Sequence, residues 1–267
     1  GCVEGAVVLE ALDSLKDGQT KVLEYGVSDD DAFAVGLACG GKMRVLVEPI
    51  GKQFPIELLK ELVDAIAKDR SVIYEINIET FRRSLVYEGY EDRIRSDRSG
   101  FKEDKITFLN VFSPKLKMDI VGAVHIAQAL VPMAKIVGFL PRIIDPRESF
   151  ANRERFFSVE ISNDFPDIAL SNSEPNSRTA VILLTHDPKL DDPALHIALK
   201  SQAFYIGALG SKKTHEQRKV RLKNAGFTEK EINRINGPIG LDIGASSPEE
   251  IAISILSEVI ANLRLVK

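Results

Sequence analysis

The chain has 267 residues, 44% of them hydrophobic and 28% charged, and a formal net charge of −4. That length accommodates two domains with cores of their own, and the composition is that of soluble globular material. No basic stripe offsets the negative balance, which argues against a nucleic-acid partner, and no apolar run reaches the roughly 18–20 residues of a membrane span.

In chain order, Gly1-Cys2-Val3-Glu4-Gly5 opens without an initiator Met, as in a mature or truncated chain. Val3, Ala6, Val7, Ala11 and Leu15 recur at helical spacing, and Gly18 follows as a stop. Lys21–Tyr25 reads as a short strand, Ser28–Asp31 as a turn or cap, and Arg44–Glu48 as a strand after the glycine-rich Gly36–Gly41. Pro55–Lys68 has the apolar period of a helix. Val72–Ile78, Ser84–Glu88 and Lys105–Phe112 are β-rich, and Asp92–Arg98 reads as a solvated charged loop. Residues 1–112 are therefore expected to form a smaller α+β domain with a mostly antiparallel sheet.

Ser113–Lys117 reads as a linker, and residues 113–267 as a second domain of different character. Met118–Val121, Pro141–Ile144, Ala180–Leu184 and Phe204–Ile206 are apolar strands. Ala127–Val137, Pro193–Lys200, Lys212–Ala225 and Pro248–Leu263 are helices, with Asp191 and Asp192 starting the second and Ala151–Asn176 irregular. Continuous apolar strands alternating with helices predict an α/β fold: a Rossmann-like, doubly wound parallel sheet.

In such sheets ligands sit beyond the carboxyl ends of the strands. Four strand ends bring chemistry there: Gly122 and His125, Asp145 and Arg147, Thr185-His186-Asp187, and Gly207, Gly210 and Ser211. Glycines at 207 and 210 form a turn, and a helix opens with Ser211, Lys212 and Lys213, a pattern that seats a phosphate through free amides and lysine charge. The same glycines also suit a plain strand-to-helix turn. Gly122-Ala123-Val124-His125 stands where a dinucleotide fold carries its glycine-rich loop, with Asp145 placed to hold a ribose. Val124 replaces the glycine that lets a pyrophosphate approach, so NAD(P) binding there is possible in outline and obstructed in detail. Arg147 offers a two-pronged anion contact, and His125 and His186 offer hydrogen bonds or proton exchange. His196 and His215 fall within helices as surface or packing residues. Only two cysteines occur, too few for a disulfide framework and suited to a reducing cytoplasm. Cys2 and Cys39 have small neighbours and offer approachable thiols for a sulfur-rich ligand or soft metal, or else are small buried residues. No nucleophile–base–acid triad is readable by spacing, so no catalytic residue is assigned.

These blocks, with Thr185-His186-Asp187, Asp191-Asp192-Pro193-Ala194-Leu195, Tyr205–Lys212, Gly237–Ala245 and Pro248–Ala252, resemble the xanthine dehydrogenase accessory family of the XdhC and CoxI type. The resemblance covers nearly the whole chain, although the family carries further glycine-rich sequence before Gly-Cys-Val-Glu and usually Gly-Ala-Gly-His where Val124 stands. It implies a non-catalytic carrier. Such a carrier binds the molybdenum cofactor (molybdopterin) as cargo and inserts it into an apo molybdenum hydroxylase of the xanthine dehydrogenase or CO dehydrogenase type. It also implies a partner cysteine desulfurase that supplies the terminal sulfur, a homodimer, and a place in purine catabolism. The alternatives are an NAD(P)-dependent oxidoreductase and a nucleotide-binding scaffold.

Overall fold

The computed structural model describes residues 2–26 and 42–265, Cys2 by its backbone only. The side chain of Cys2, all of Cys39, and the expected features at 28–31 and 36–41 lie outside the described residues. The chain divides into two compact units, 1–113 and 114–267.

In the first unit, α1 (Cys2–Asp17) carries Glu4 in its first turn and Lys16 in its last, each complementing the helix dipole. β1 (Lys21–Gly26) and β2 (Lys42–Val47) pair antiparallel. α2 (Ile56–Ala67) buries Leu62 and Ala65 against Val72. β3 (Val72–Asn77), β4 (Arg83–Val86), β5 (Gly100–Phe101) and β6 (Thr107–Phe112) form an antiparallel sheet in the order β4-β3-β6-β5. Glu48 is held inside this unit, accepting from the Tyr74 hydroxyl at 2.8 Å and from Arg83 Nε at 2.6 Å. The segment expected as a charged loop overlaps α3 (Glu91–Ser96). Its acids fall in the first turn and its arginines in the last, so charges that read as solvated loop favour a helix instead.

The second unit starts inside the expected linker. β7 (Leu116–Val121) is followed by α4 (His125–Ile136), β8 (Phe139–Ile144), β9 (Glu160–Ser162), α5 (Pro166–Asn172) and β10 (Thr179–Leu183). Then come α6 (Pro188–Lys200), β11 (Tyr205–Ala208), α7 (Lys212–Asn224), α8 (Glu229–Ile232), β12 (Ile235–Asn236) and α9 (Pro248–Arg264). β9 and α5 occupy the stretch read as irregular; three- and seven-residue elements are too short to show a period. The sheet order is β12-β11-β10-β7-β8-β9, all parallel, so the winding reverses between β7 and β10. This is the doubly wound Rossmann order.

Alternate strand residues feed two cores. Met118, Ile120, Ile143 and Ile182 pack with α4 and α9, while Val121, Ile144, Val181, Leu183 and Ile206 pack with α5, α6 and α7. Each such fully buried side chain contributes about 1.5–3 kcal/mol. Among them, Asp119 lies in register with Arg142 on β8 and accepts from its Nε at 2.9 Å. Burial raises the Asp119 pKa, and Arg142 opposes this only in part. No helix is long and apolar enough to cross a membrane, among the described residues.

Candidate functional site

The carboxyl ends of β8, β7, β10 and β11 stand side by side, and their loops interlock. Gly122 has φ +108°, and a Cβ there would come within 2.7 Å of the Thr185 side chain, so only glycine lets the β7 and β10 exits meet. Val124, the departure from the glycine pattern, is extended (φ −86°, ψ 177°) and packs on the α4 core. Its backbone conformation therefore makes no demand for glycine. His125 is exposed as the first residue of α4.

Asp145 is fully buried, and its carboxylate is saturated. Oδ1 accepts from the Arg147 amide at 3.0 Å and Arg147 Nε at 2.8 Å. Oδ2 accepts from the Ala123 amide at 2.9 Å and Arg147 Nη2 at 2.7 Å. Burial alone would raise its pKa, but the Arg147 and backbone hydrogen bonds outweigh burial and hold it below the usual value. An ionised carboxylate offers about four acceptor positions, and all are taken, so the expected ribose contact has nothing to bind. The expected two-pronged anion contact is corrected by the same bonds: both prongs of Arg147 grip Asp145.

At the β10 exit, His186 adopts the left-handed region (φ +59°), a conformation that costs a non-glycine residue on the order of 1 kcal/mol and is frequent at functional sites. His186 is exposed, and the Asp187 side chain caps α6 by accepting from the Lys189 amide. Helix α6 thus begins at Pro188, five residues before the expected start. Asp191 and Asp192 lie inside it, Asp191 bonded to the Thr185 hydroxyl and Asp192 to Arg221 Nε at 2.6 Å and Nη2 at 3.0 Å.

At the β11 exit, Gly207 is not in the turn. It lies buried within the strand, where a Cβ would meet Ile239 at 2.5 Å and Tyr205 at 2.7 Å. The turn is Leu209-Gly210-Ser211, with Gly210 at φ +144°. Ser211 caps α7 by accepting from the Thr214 amide at 3.1 Å, and Lys212 and Lys213 are exposed at the helix start. Beneath the turn lies Arg218, 1% exposed, which donates through Nη2 to Leu209 O at 2.9 Å and to Asp191 at 3.4 Å. Its Nε and Nη1 have no hydrogen-bond partner. His215, one turn earlier, is also buried, with Nδ1 unpartnered.

Sequence reasoning missed Arg218, Asp191, Arg155 and Phe150. Arg218 sits in a segment read only as a helix, with no role given to its charges. Arg155 sits in the stretch read as irregular and Phe150 just before it, and Arg155 Nη1 donates to Ala123 O at 2.9 Å and Phe150 O at 2.8 Å. Among the described residues no group of three or more His, Cys, Asp or Glu is arranged to hold a metal ion.

The family model described as the XdhC Rossmann domain matches residues 118–259. The chain is 28% identical over 265 residues to the molybdenum cofactor insertion chaperone PaoD of Escherichia coli K12, covering 99% of this chain and 73% of that protein. It is 25% identical to a Bacillus subtilis 168 protein named as a probable xanthine dehydrogenase subunit, covering 97% of this chain and 82% of that one. A crystal structure from Bacillus halodurans, described as a xanthine dehydrogenase, superposes with a TM-score of 0.75 at 27% identity, covering 100% of this chain and 82% of that one.

Proposed function

Because the chain belongs to the family of the XdhC Rossmann domain, we propose that it carries the molybdenum cofactor and inserts it into a molybdenum hydroxylase of the xanthine dehydrogenase type. A relative named as such a chaperone aligns over nearly the full chain, which supports this reading. The cofactor is cargo here, not a resident group. Its terminal phosphate is assigned to Gly210, Ser211 and Lys212 of the second unit. A cysteine desulfurase supplying the terminal sulfur, a homodimeric assembly, a cytoplasmic location and a CO dehydrogenase-type client belong to the same proposal.

One observation carries the choice between carrier and dehydrogenase. The Gly210 turn with the exposed Lys212 and Lys213 suits a phosphate, yet the acid that would anchor a nicotinamide dinucleotide's ribose is saturated by Ala123 and Arg147. That counts against an NAD(P)-dependent oxidoreductase and against a simple nucleotide scaffold. The test is mass spectrometry of small molecules released from gently purified protein, paired with reconstitution of an apo-hydroxylase. Molybdopterin released and activity restored is the expected outcome; neither one appearing refutes the carrier.

A further inference from the structure

Arg147 and Phe150 stand at the β8 exit beside the glycine-turned loop. The guanidinium carbon of Arg147 lies 4.3 Å from the Phe150 ring centroid, a cation–π stack. Arg155 approaches the same ring at 5.7 Å and is fastened to Ala123 O, Phe150 O and Gln128 Oε1. Nε and Nη2 of Arg147 are held by Asp145, which fixes the plane of the guanidinium and offsets its charge. The Arg147 side chain is nonetheless 42% exposed, and Phe150 is exposed as well. A flat cation with a locked orientation, neutralised on one edge and backed by an aromatic ring, is poorly suited to grip an anion. It is well suited to stacking against a planar ring.

The position fits. β8 and β11 are separated by β7 and β10, so their carboxyl ends lie three inter-strand spacings apart, about 14 Å. A fused heteroaromatic ring with a phosphate tail spans that gap, ring at one end and phosphate at the other.

We propose that Arg147 and Phe150 form a stacking platform for the planar pterin ring of the cargo, with Arg155 and Asp145 as the residues that position it. The identity of the ring rests on the carrier reading above. The platform itself rests on the stack and on the occupied edge of Arg147.

The test titrates the full chain with free pterin, followed by pterin fluorescence, and separately with NADH. Molybdopterin in the same preparations is measured by mass spectrometry. The expected result is quenching of pterin on binding, with Arg147→Lys and Phe150→Leu each weakening pterin about 3- to 10-fold, the range of a single stacking contact. Arg147→Lys keeps the charge and removes the plane; Phe150→Leu keeps apolar bulk and removes the ring. Unchanged pterin affinity in both variants overturns the platform, and if molybdopterin is still retained the carrier reading stands without it. NADH binding more tightly than pterin, and lost in Asp145→Asn, overturns both the platform and the exclusion of ribose. Absence of molybdopterin and of apo-hydroxylase reconstitution, with pterin quenching intact, removes the carrier reading and leaves the platform in place.

Discussion

Asp191 and Arg218 meet 27 residues apart in sequence, the carboxylate 2% and the guanidinium 1% exposed, at 3.4 Å. The other oxygen of Asp191 takes the Thr185 hydroxyl, and Arg218 also holds Leu209 O. One buried pair therefore ties the β10 exit to the β11 exit. Burial raises the Asp191 pKa and lowers that of Arg218, so each group depends on the other to remain charged.

Removing one partner strands the other. Arg218→Met is expected to destabilise the second unit by about 3–5 kcal/mol, and Asp191→Leu combined with Arg218→Met by markedly less. Urea unfolding of the four-member cycle checks this. Additive losses would mean that the two groups do not act as a pair.

His215 gives a pH dependence. Burial, then the charges of Lys219 and Arg218, hold its pKa below the ordinary 6.5, while Glu216 opposes them. Below 6.5 the unfolded chain takes up a proton that the folded chain resists, so this group's contribution to stability falls as pH drops and is complete above about 6.5. Comparing unfolding midpoints at pH 5.5 and 7.5, the wild type is expected to lose more stability on acidification than His215→Gln.

Asp145 acts in the lower acid range, where Arg147 and the amides of Ala123 and Arg147 hold the carboxylate ionised in the folded state. Its stabilisation is present above the ordinary carboxylate range, about pH 4, and is lost as pH falls through the depressed folded value. Asp145→Asn should lower the thermal midpoint more at pH 7 than at pH 3. An equal loss at both values would assign Asp145 a purely steric role.

Gly207 and Lys212 separate packing from binding. Gly207→Ala is expected to cost about 1–3 kcal/mol through collision with Ile239 and Tyr205, and Ile239→Val in the same chain to recover part of it. Lys212→Ala touches only an exposed side chain and should leave the thermal midpoint unchanged while weakening phosphate-bearing ligands. If Gly207→Ala lowers cargo retention without changing stability, the packing argument is wrong.

What was readable in the residues alone was whatever short-range periodicity dictates. Continuous apolar strands at Met118–Val121 and Ala180–Leu184 demanded two covered faces and hence a parallel sheet, and the Ser211 cap announced a helix start because its hydroxyl bonds three residues on. Short elements escaped, since β9 and α5 owe their existence to neighbours that periodicity does not see. The pairings were decided in three dimensions. Arg147 looked like an anion clamp and became a locked plane because Asp145 is buried beside it; Gly207 looked like a turn and became a packing gap for Ile239; Arg218, one of many charges in a helix, is buried and holds Leu209 O at the β11 exit. A charged side chain takes whichever partner relieves its desolvation, and that partner is chosen by the fold rather than by nearness along the chain.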